Sequence, residues 1–304
     1  MTLNHKQITL PFSIIRFQDP DVDGSLAKKI NCMREFSDKE YYSTEIRQEI
    51  VKKLNLETDY WKNFVKNIFR HLRCNGFVII KDMPFDDDDR LLVGFSALIG
   101  TLIEPYATKE THMVRRQSPR EAIYDQDIFP HTDGAHWPEP NDLTALECFR
   151  KDEQDHGLSR IIPVDIVLEQ LKNNGQSELI DYFYKSMVPF LLHKNFGQKG
   201  WMYGYVLTKD KYGTQVRFAR TYIEKAIEKF KIKVDPNLLE NVEIFEKILM
   251  KIGERTQFLL NHGDLLIFDN KRVFHGRTQT EKNSKRLLKK VKINIEQEKM
   301  FENI

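Results

Sequence analysis

Cysteine is scarce in this 304-residue chain, which carries only Cys32, Cys74 and Cys148. An odd number with no C-x-x-C pair argues against a disulfide framework and a structural zinc ribbon, and fits reduced thiols in the cytoplasm. An excess of one charge is missing too. Lys and Arg total 47 against 45 Asp and Glu, a formal net charge of +2, so no dedicated nucleic-acid or anionic-membrane binder is expected. Long apolar runs are also lacking. The longest, Leu91–Ile103, contains Gly94 and Gly100 and falls short of the roughly 20 residues that span a bilayer. The opening MTLNHKQITLPFSIIRFQ has no basic segment leading into an apolar one, so no secretory signal is expected. Repeats and low-complexity linkers are absent.

What is present describes a globular chain. Its residues are 40% hydrophobic and 11% aromatic, and a chain of this length buries roughly 75% of its unfolded surface without staples. Ile50, Leu54, Trp61, Phe64, Val65, Ile68 and Leu72 follow helical spacing within 39–73, and Asn75-Gly76 reads as the stop. Phe77–Ile80 reads as a buried strand. The acidic run Asp86–Asp89 reads as the N-terminal chemistry of a helix from Arg90 to Ile99. Strands are expected over Leu143–Phe149 and Arg160–Val164, and a helix over Glu169–Lys185. Val188–Tyr212 should be short strands or loops. Amphipathic helices over Tyr222–Lys231 and Leu238–Lys251 precede a strand-rich end: Gln257–Leu260, Asp264–Phe268, Arg272–Arg277 and Arg286–Ile295. This pattern predicts a single domain over 1–304, a β core with helices outside. A helical extension would occupy 1–75 and the core 76–295.

Two histidine contexts stand apart. In Pro130-His131-Thr132-Asp133-Gly134, residues i and i+2 of an extended segment point the same way, so His131 and Asp133 can converge on one ion. Gly263-Asp264-Leu265-Leu266-Ile267-Phe268-Asp269-Asn270 leads into a second strand carrying His275. Two imidazoles and a carboxylate form a facial set that leaves coordination positions open, which suits non-haem Fe(II) in oxygen chemistry. Eleven residues on, Arg286, Leu288 and Lys290 share one strand face, and a guanidinium facing inward there needs an anion. His136 falls on the opposite face from His131 and Asp133 if the segment stays extended, and reads as a pocket wall, a substrate contact or a structural residue. Arg277 shares the face of His275, as an ion-pair partner or a cosubstrate contact. His112, His193 and His262 carry no pattern, and Cys148 belongs to a buried strand.

The H-T-D triplet, the G-D-L-L-I-F-D-N-K-R-V-F-H-G-R block and the Arg eleven residues later resemble the Fe(II)/2-oxoglutarate-dependent dioxygenases of the taurine dioxygenase (TauD/TfdA) and clavaminate synthase-like superfamily. The resemblance spans about 76–295. It implies a mixed α/β fold with a double-stranded β-helix (jelly-roll) core flanked by helices. It also implies Fe(II) on His131, Asp133 and His275, 2-oxoglutarate and O2 as cosubstrates, and Arg286 on the far cosubstrate carboxylate. Ser159, closing Asp155-His156-Gly157-Leu158-Ser159, takes the place of a hydroxyl that touches the cosubstrate, although His156 replaces a usual glycine. Lys290 stands where relatives commonly carry a second Arg. The substrate side would include Gly134–Pro138, with His136 and Trp137, and Tyr212–Tyr222, where Arg217 or Arg220 would hold the carboxylate of an amino acid or another small acid. The implied reaction hydroxylates a small molecule and releases succinate and CO2. Desaturation, cyclisation and epimerisation stay open, as does a non-catalytic metal-binding β-barrel module. Halogenation is disfavoured because relatives that halogenate lack the Asp133 carboxylate. A zinc hydrolase would need a general-base motif such as H-E-x-x-H, which is absent.

Overall fold

The computed structural model describes residues 13–20, 25–85, 87, 89–103, 113–117, 126–192, 200–281 and 283–296. His112 and His193 lie outside these residues, as do Asp86 and Asp88.

Two facing β-sheets form the centre. The larger runs in the order Ile14–Arg16, Phe77–Lys81, Leu265–Asp269, Leu143–Arg150, Leu287–Asn294 and Thr101–Leu102, and Arg115–Gln117 pairs with the same Leu287–Asn294 strand. The smaller orders Gln257–Phe258, Ser159–Pro163, Val273–Arg277 and Ile128–His131. Apart from the parallel contact of Ile14–Arg16 with Phe77–Lys81, neighbouring strands are antiparallel.

Strand alternation sends successive side chains to opposite faces, and the large sheet is covered on both. Phe77, Ile79, Leu146, Leu266, Phe268 and Leu288 pack between the sheets with Ile161 and Val273 of the smaller one. Val78, Ile80, Leu265, Ile267, Val291 and Ile293 turn outward onto helices Thr44–Lys53, Asp59–Asn75 and Arg90–Ile99. Behind the small sheet, Ile162 and Phe274 meet Val167, Phe183, Phe245 and Leu249 from the later helices. The result is the expected jelly-roll core between helical layers. No helix among the described residues is long and apolar enough to cross a membrane.

Three elements depart from the sequence reading. Ile14–Arg16, expected within a helical extension over 1–75, is instead an edge strand of the large sheet, because its backbone pairs with Phe77–Lys81. The helix expected over Glu169–Lys185 is two helices, Val164–Asn173 and Ser177–Lys185. Gly175, at φ 73°, lies in the break and takes a backbone conformation a helix cannot contain. Asp89 is not a capping residue either. It precedes the Arg90–Ile99 helix with no side-chain cap bond. Its carboxylate is instead buried against Lys289 Nζ at 2.6 Å and Arg116 at 2.7 Å, and Glu147 lies 3.7 Å from the same ammonium. A buried acid with two cations near it is held by pairing, not by the helix end.

Candidate active site

Sheet register brings the two histidines together. His131 and His275 are directly paired across the Ile128–His131 and Val273–Arg277 strands, with ring centroids 4.3 Å apart. His131 Nδ1 lies 2.8 Å from the carbonyl of Phe129, a contact that assigns the proton to Nδ1 and leaves Nε2 as the donor atom. His275 packs its ring against Phe268, centroids 4.6 Å apart.

Beyond His131 the chain is pinned from two sides. Thr132 N donates to the Phe218 carbonyl at 2.8 Å, and Phe218 N donates back to Thr132 Oγ1 at 3.0 Å. Asp133 is held through its backbone by Asn270. Gly134 then turns the chain at φ 66°, and a Cβ there would lie 2.7 Å from the Trp137 ring. This turn ends the extended geometry after Asp133. His136 therefore does not fall away from the pocket as simple alternation implies. It lines the same cavity and packs its ring against Tyr222, centroids 4.3 Å apart.

His131, Asp133 and His275 each offer a ligand atom, and all these atoms lie within 4.8 Å of one another. Burial lowers the His131 pKa, and Lys290 and Lys292 add to that. Burial, followed by His131, takes His275 well below its usual range. For Asp133 burial acts the other way, yet Lys290, His275 and Lys292 together hold the carboxyl well below its ordinary value. Two neutral imidazoles and an ionised carboxylate are the protonation states a divalent ion requires, so the donor set fits Fe(II).

The cavity they face has a volume of about 590 Å³. Arg286, Leu288, Lys290 and Lys292, one face of the Leu287–Asn294 strand and the residue before it, form part of its wall. Arg286 is 5% exposed and makes no ion pair among the described residues. Burial first, and Arg277 second, push its pKa down to about 10. A guanidinium that dry without a carboxylate is a seat for an anion. Gly157, at φ 71°, lies against its stem, where a Cβ would come within 3.0 Å of Cδ. Ser159 and Arg277 line the cavity as well, Arg277 donating to the carbonyls of Thr278 and Gln126.

Residues 41–291 match the model of the "Taurine catabolism dioxygenase TauD, TfdA family". The chain belongs to this family. As a TauD/TfdA dioxygenase it shares its fold with asparagine oxygenase, solved in complex with Fe(II), 2S,3S-3-hydroxyasparagine and succinate. The TM-score is 0.72 at 15% identity, over 93% of each chain. The non-heme iron oxygenase OrfP in complex with Fe and alpha-ketoglutaric acid gives 0.65 at 17% identity, over 92% of this chain and 94% of that one. The same oxygenase with Fe and L-Arg gives 0.64 at 18%, over 92% and 93%. No curated protein matches the chain significantly.

Of the residues the sequence places toward a substrate, His136, Trp137 and Arg220 line the cavity of this TauD/TfdA dioxygenase. Arg220 is already paired with Glu224 at 2.6 Å and Glu246 at 2.9 Å, so a substrate carboxylate would compete with two acids. Arg217 does not line the cavity. It donates to the Pro138 carbonyl at 2.8 Å, because its strand end serves to brace the turn after Asp133. Lys290, which the sequence left without a role, sits on Asp133. Sequence reasoning missed Asn270, Thr144 and Asn141, all fully buried. Only the D-N dipeptide closing the Leu265–Asp269 strand signalled any of them.

Proposed function

We propose that this chain is an Fe(II)- and 2-oxoglutarate-dependent dioxygenase that hydroxylates a C–H bond of a small amino-acid-like molecule. One observation carries the reading. Two imidazoles and a carboxylate meet at one part of a single cavity, and a buried guanidinium with no ion-pair partner among the described residues faces the same space. Bound there, iron and 2-oxoglutarate supply oxidation by dioxygen, with succinate and CO2 as coproducts. His131, Asp133 and His275 hold the metal. Arg286 takes the distal carboxylate of 2-oxoglutarate with its planar fork, and the Ser159 hydroxyl assists. His136 and Trp137 wall the substrate side and keep water from the reacting C–H. Asparagine oxygenase and OrfP, solved in complex with hydroxylated asparagine and hydroxylated arginine, support an amino acid as the first class to try.

The test is 2-oxoglutarate turnover by the purified protein with Fe(II), O2 and a panel of free amino acids, following succinate and product mass. We expect succinate formation coupled to gain of one oxygen atom by at least one amino acid. Loss of two hydrogens without oxygen would redirect the reading to desaturation or cyclisation. Absence of 2-oxoglutarate binding by the metal-loaded protein would end it and leave a non-catalytic metal-binding barrel.

A further inference from the structure

Lys290 points into the cavity, yet its ammonium is committed to one partner. Nζ lies 3.0 Å from Asp133 Oδ1 and 3.2 Å from Oδ2, with the two side chains 7% and 9% exposed. Thr144 adds a hydroxyl donor to Oδ2 at 3.1 Å, and His275 Nε2 stands 3.8 Å from the same oxygen. Lys292, the next residue on that face, is placed differently, with Nζ 3.8 Å over the Trp137 ring. Lys290 is thus the only Lys or Arg within ion-pair distance of Asp133 among the described residues.

We infer that Lys290 is a resident counter-cation that keeps the metal's place on Asp133. It neutralises the carboxylate while the site is empty and yields it when the metal loads. The inference rests on the metal-site reading above. A carboxylate this deep is costly to leave alone, so the metal-free fold needs a cation there. A divalent ion on the same carboxylate would stand beside the ammonium, where like charges a few ångströms apart repel strongly even at protein-surface dielectric. The two cations therefore compete for Asp133. Lysine suits an exchangeable partner, since it is a point donor on a flexible stem, whereas arginine would grip both carboxylate oxygens in a rigid fork. Metal affinity is accordingly set below what the three donors alone would give, in return for a stable empty site.

The experiment uses the full-length, metal-stripped protein titrated with Co(II), in wild type, Lys290→Met and Lys290→Gln. The second variant keeps an amide donor toward Asp133 and guards against misfolding of the first. Both variants should bind Co(II) more tightly, by about tenfold or more, as expected from removing one close positive charge. Their metal-free melting temperature should fall while the Co(II)-loaded one falls less, so that the gain on metal binding widens. A lysine with only a packing role would lower both forms equally and leave Co(II) affinity unchanged, which overturns the inference. Weaker Co(II) binding in both variants overturns it too, showing that Lys290 orients the ligand. Asp133→Ala separates the two claims: if it binds Co(II) as the wild type does, the metal-site reading itself fails, and this inference with it.

Discussion

The side-chain amide of Asn270 grips the backbone of Asp133 at both ends. Its Oδ1 accepts from Asp133 N at 2.7 Å, and its Nδ2 donates to the Asp133 carbonyl at 2.9 Å. The same Nδ2 reaches the Asn141 carbonyl at 3.0 Å, and Asn141 donates to Thr144 Oγ1, whose hydroxyl bonds the Asp133 carboxylate. Backbone and carboxylate of one candidate ligand are thus fixed by a single buried network.

Asn270→Ala should leave an N–H and a carbonyl buried without partners. Each such loss costs about 1–3 kcal/mol, so unfolding free energy should drop by about 2–6 kcal/mol in urea titration. Co(II) affinity should fall as well, because Asp133 is no longer oriented. A variant with unchanged stability and metal binding would show that the clamp is dispensable.

Alanine at His131, Asp133 or His275 should weaken Fe(II) or Co(II) binding by about a hundredfold or more and abolish succinate formation, since two ligands cannot hold the facial geometry. His136→Ala should keep the metal and act through substrate KM. Metal titration of the four variants side by side decides it; near-normal binding by any of the first three removes that residue from the site.

Arg286→Ala should raise the apparent 2-oxoglutarate constant by roughly 10- to 100-fold, the range of one or two lost charge-assisted hydrogen bonds. Arg286→Lys should recover part of this, keeping charge but not the fork, and metal affinity should hold in both. If Arg286→Ala binds 2-oxoglutarate normally, Arg277 becomes the anchor to test.

A pH effect is expected at Asp269. Burial pushes its carboxyl up to about 6, against the opposing pull of Arg272. A folded pKa above the unfolded value of 3.8 means its contribution is present below pH 4 and is lost as pH rises through about 6. Asp269→Asn keeps an acceptor for the Lys271 N–H and removes that loss. It should exceed the wild type in stability by about 2–3 kcal/mol at pH 8 and approach it at pH 4. Denaturation curves at the two pH values test this; an equal offset at both would contradict it.

Much of this was legible in the sequence, for local reasons. Phe77–Ile80 and Leu143–Phe149 are apolar runs whose length and β-branched or aromatic content point to buried strands, and Asn75-Gly76 stops a helix by backbone chemistry. His131, Asp133, His275 and Arg286 were visible as residue types at telling spacings. Asn270 and Lys290 were not, because their contacts with Asp133 join segments over a hundred residues apart, and Thr144, only eleven residues on, meets the carboxylate through a turn that its sequence does not announce. Asp89 misled because its partners Lys289 and Arg116 lie on two neighbouring strands that the local sequence does not reveal. Arg217 misled because nothing local says whether an arginine turns toward a cavity or toward a neighbouring carbonyl.

The Leu287–Asn294 strand carries lysines on both faces, and this has a consequence for how the chain finds its alignment. A one-residue slip exchanges the faces and is rejected by any half-apolar strand. A two-residue slip is subtler, because in one direction it would still present a lysine, Lys292, to Asp133. On the other face, however, Lys289 is opposite Glu147 and beside Asp89. A two-residue slip would set Val291 or Leu287 there and take the Lys289 ammonium away from two interior acids, which is costly in a dry site. The ionic cluster behind the sheet thereby works as a proofreader, admitting only the alignment in which Arg286 also reaches the cavity.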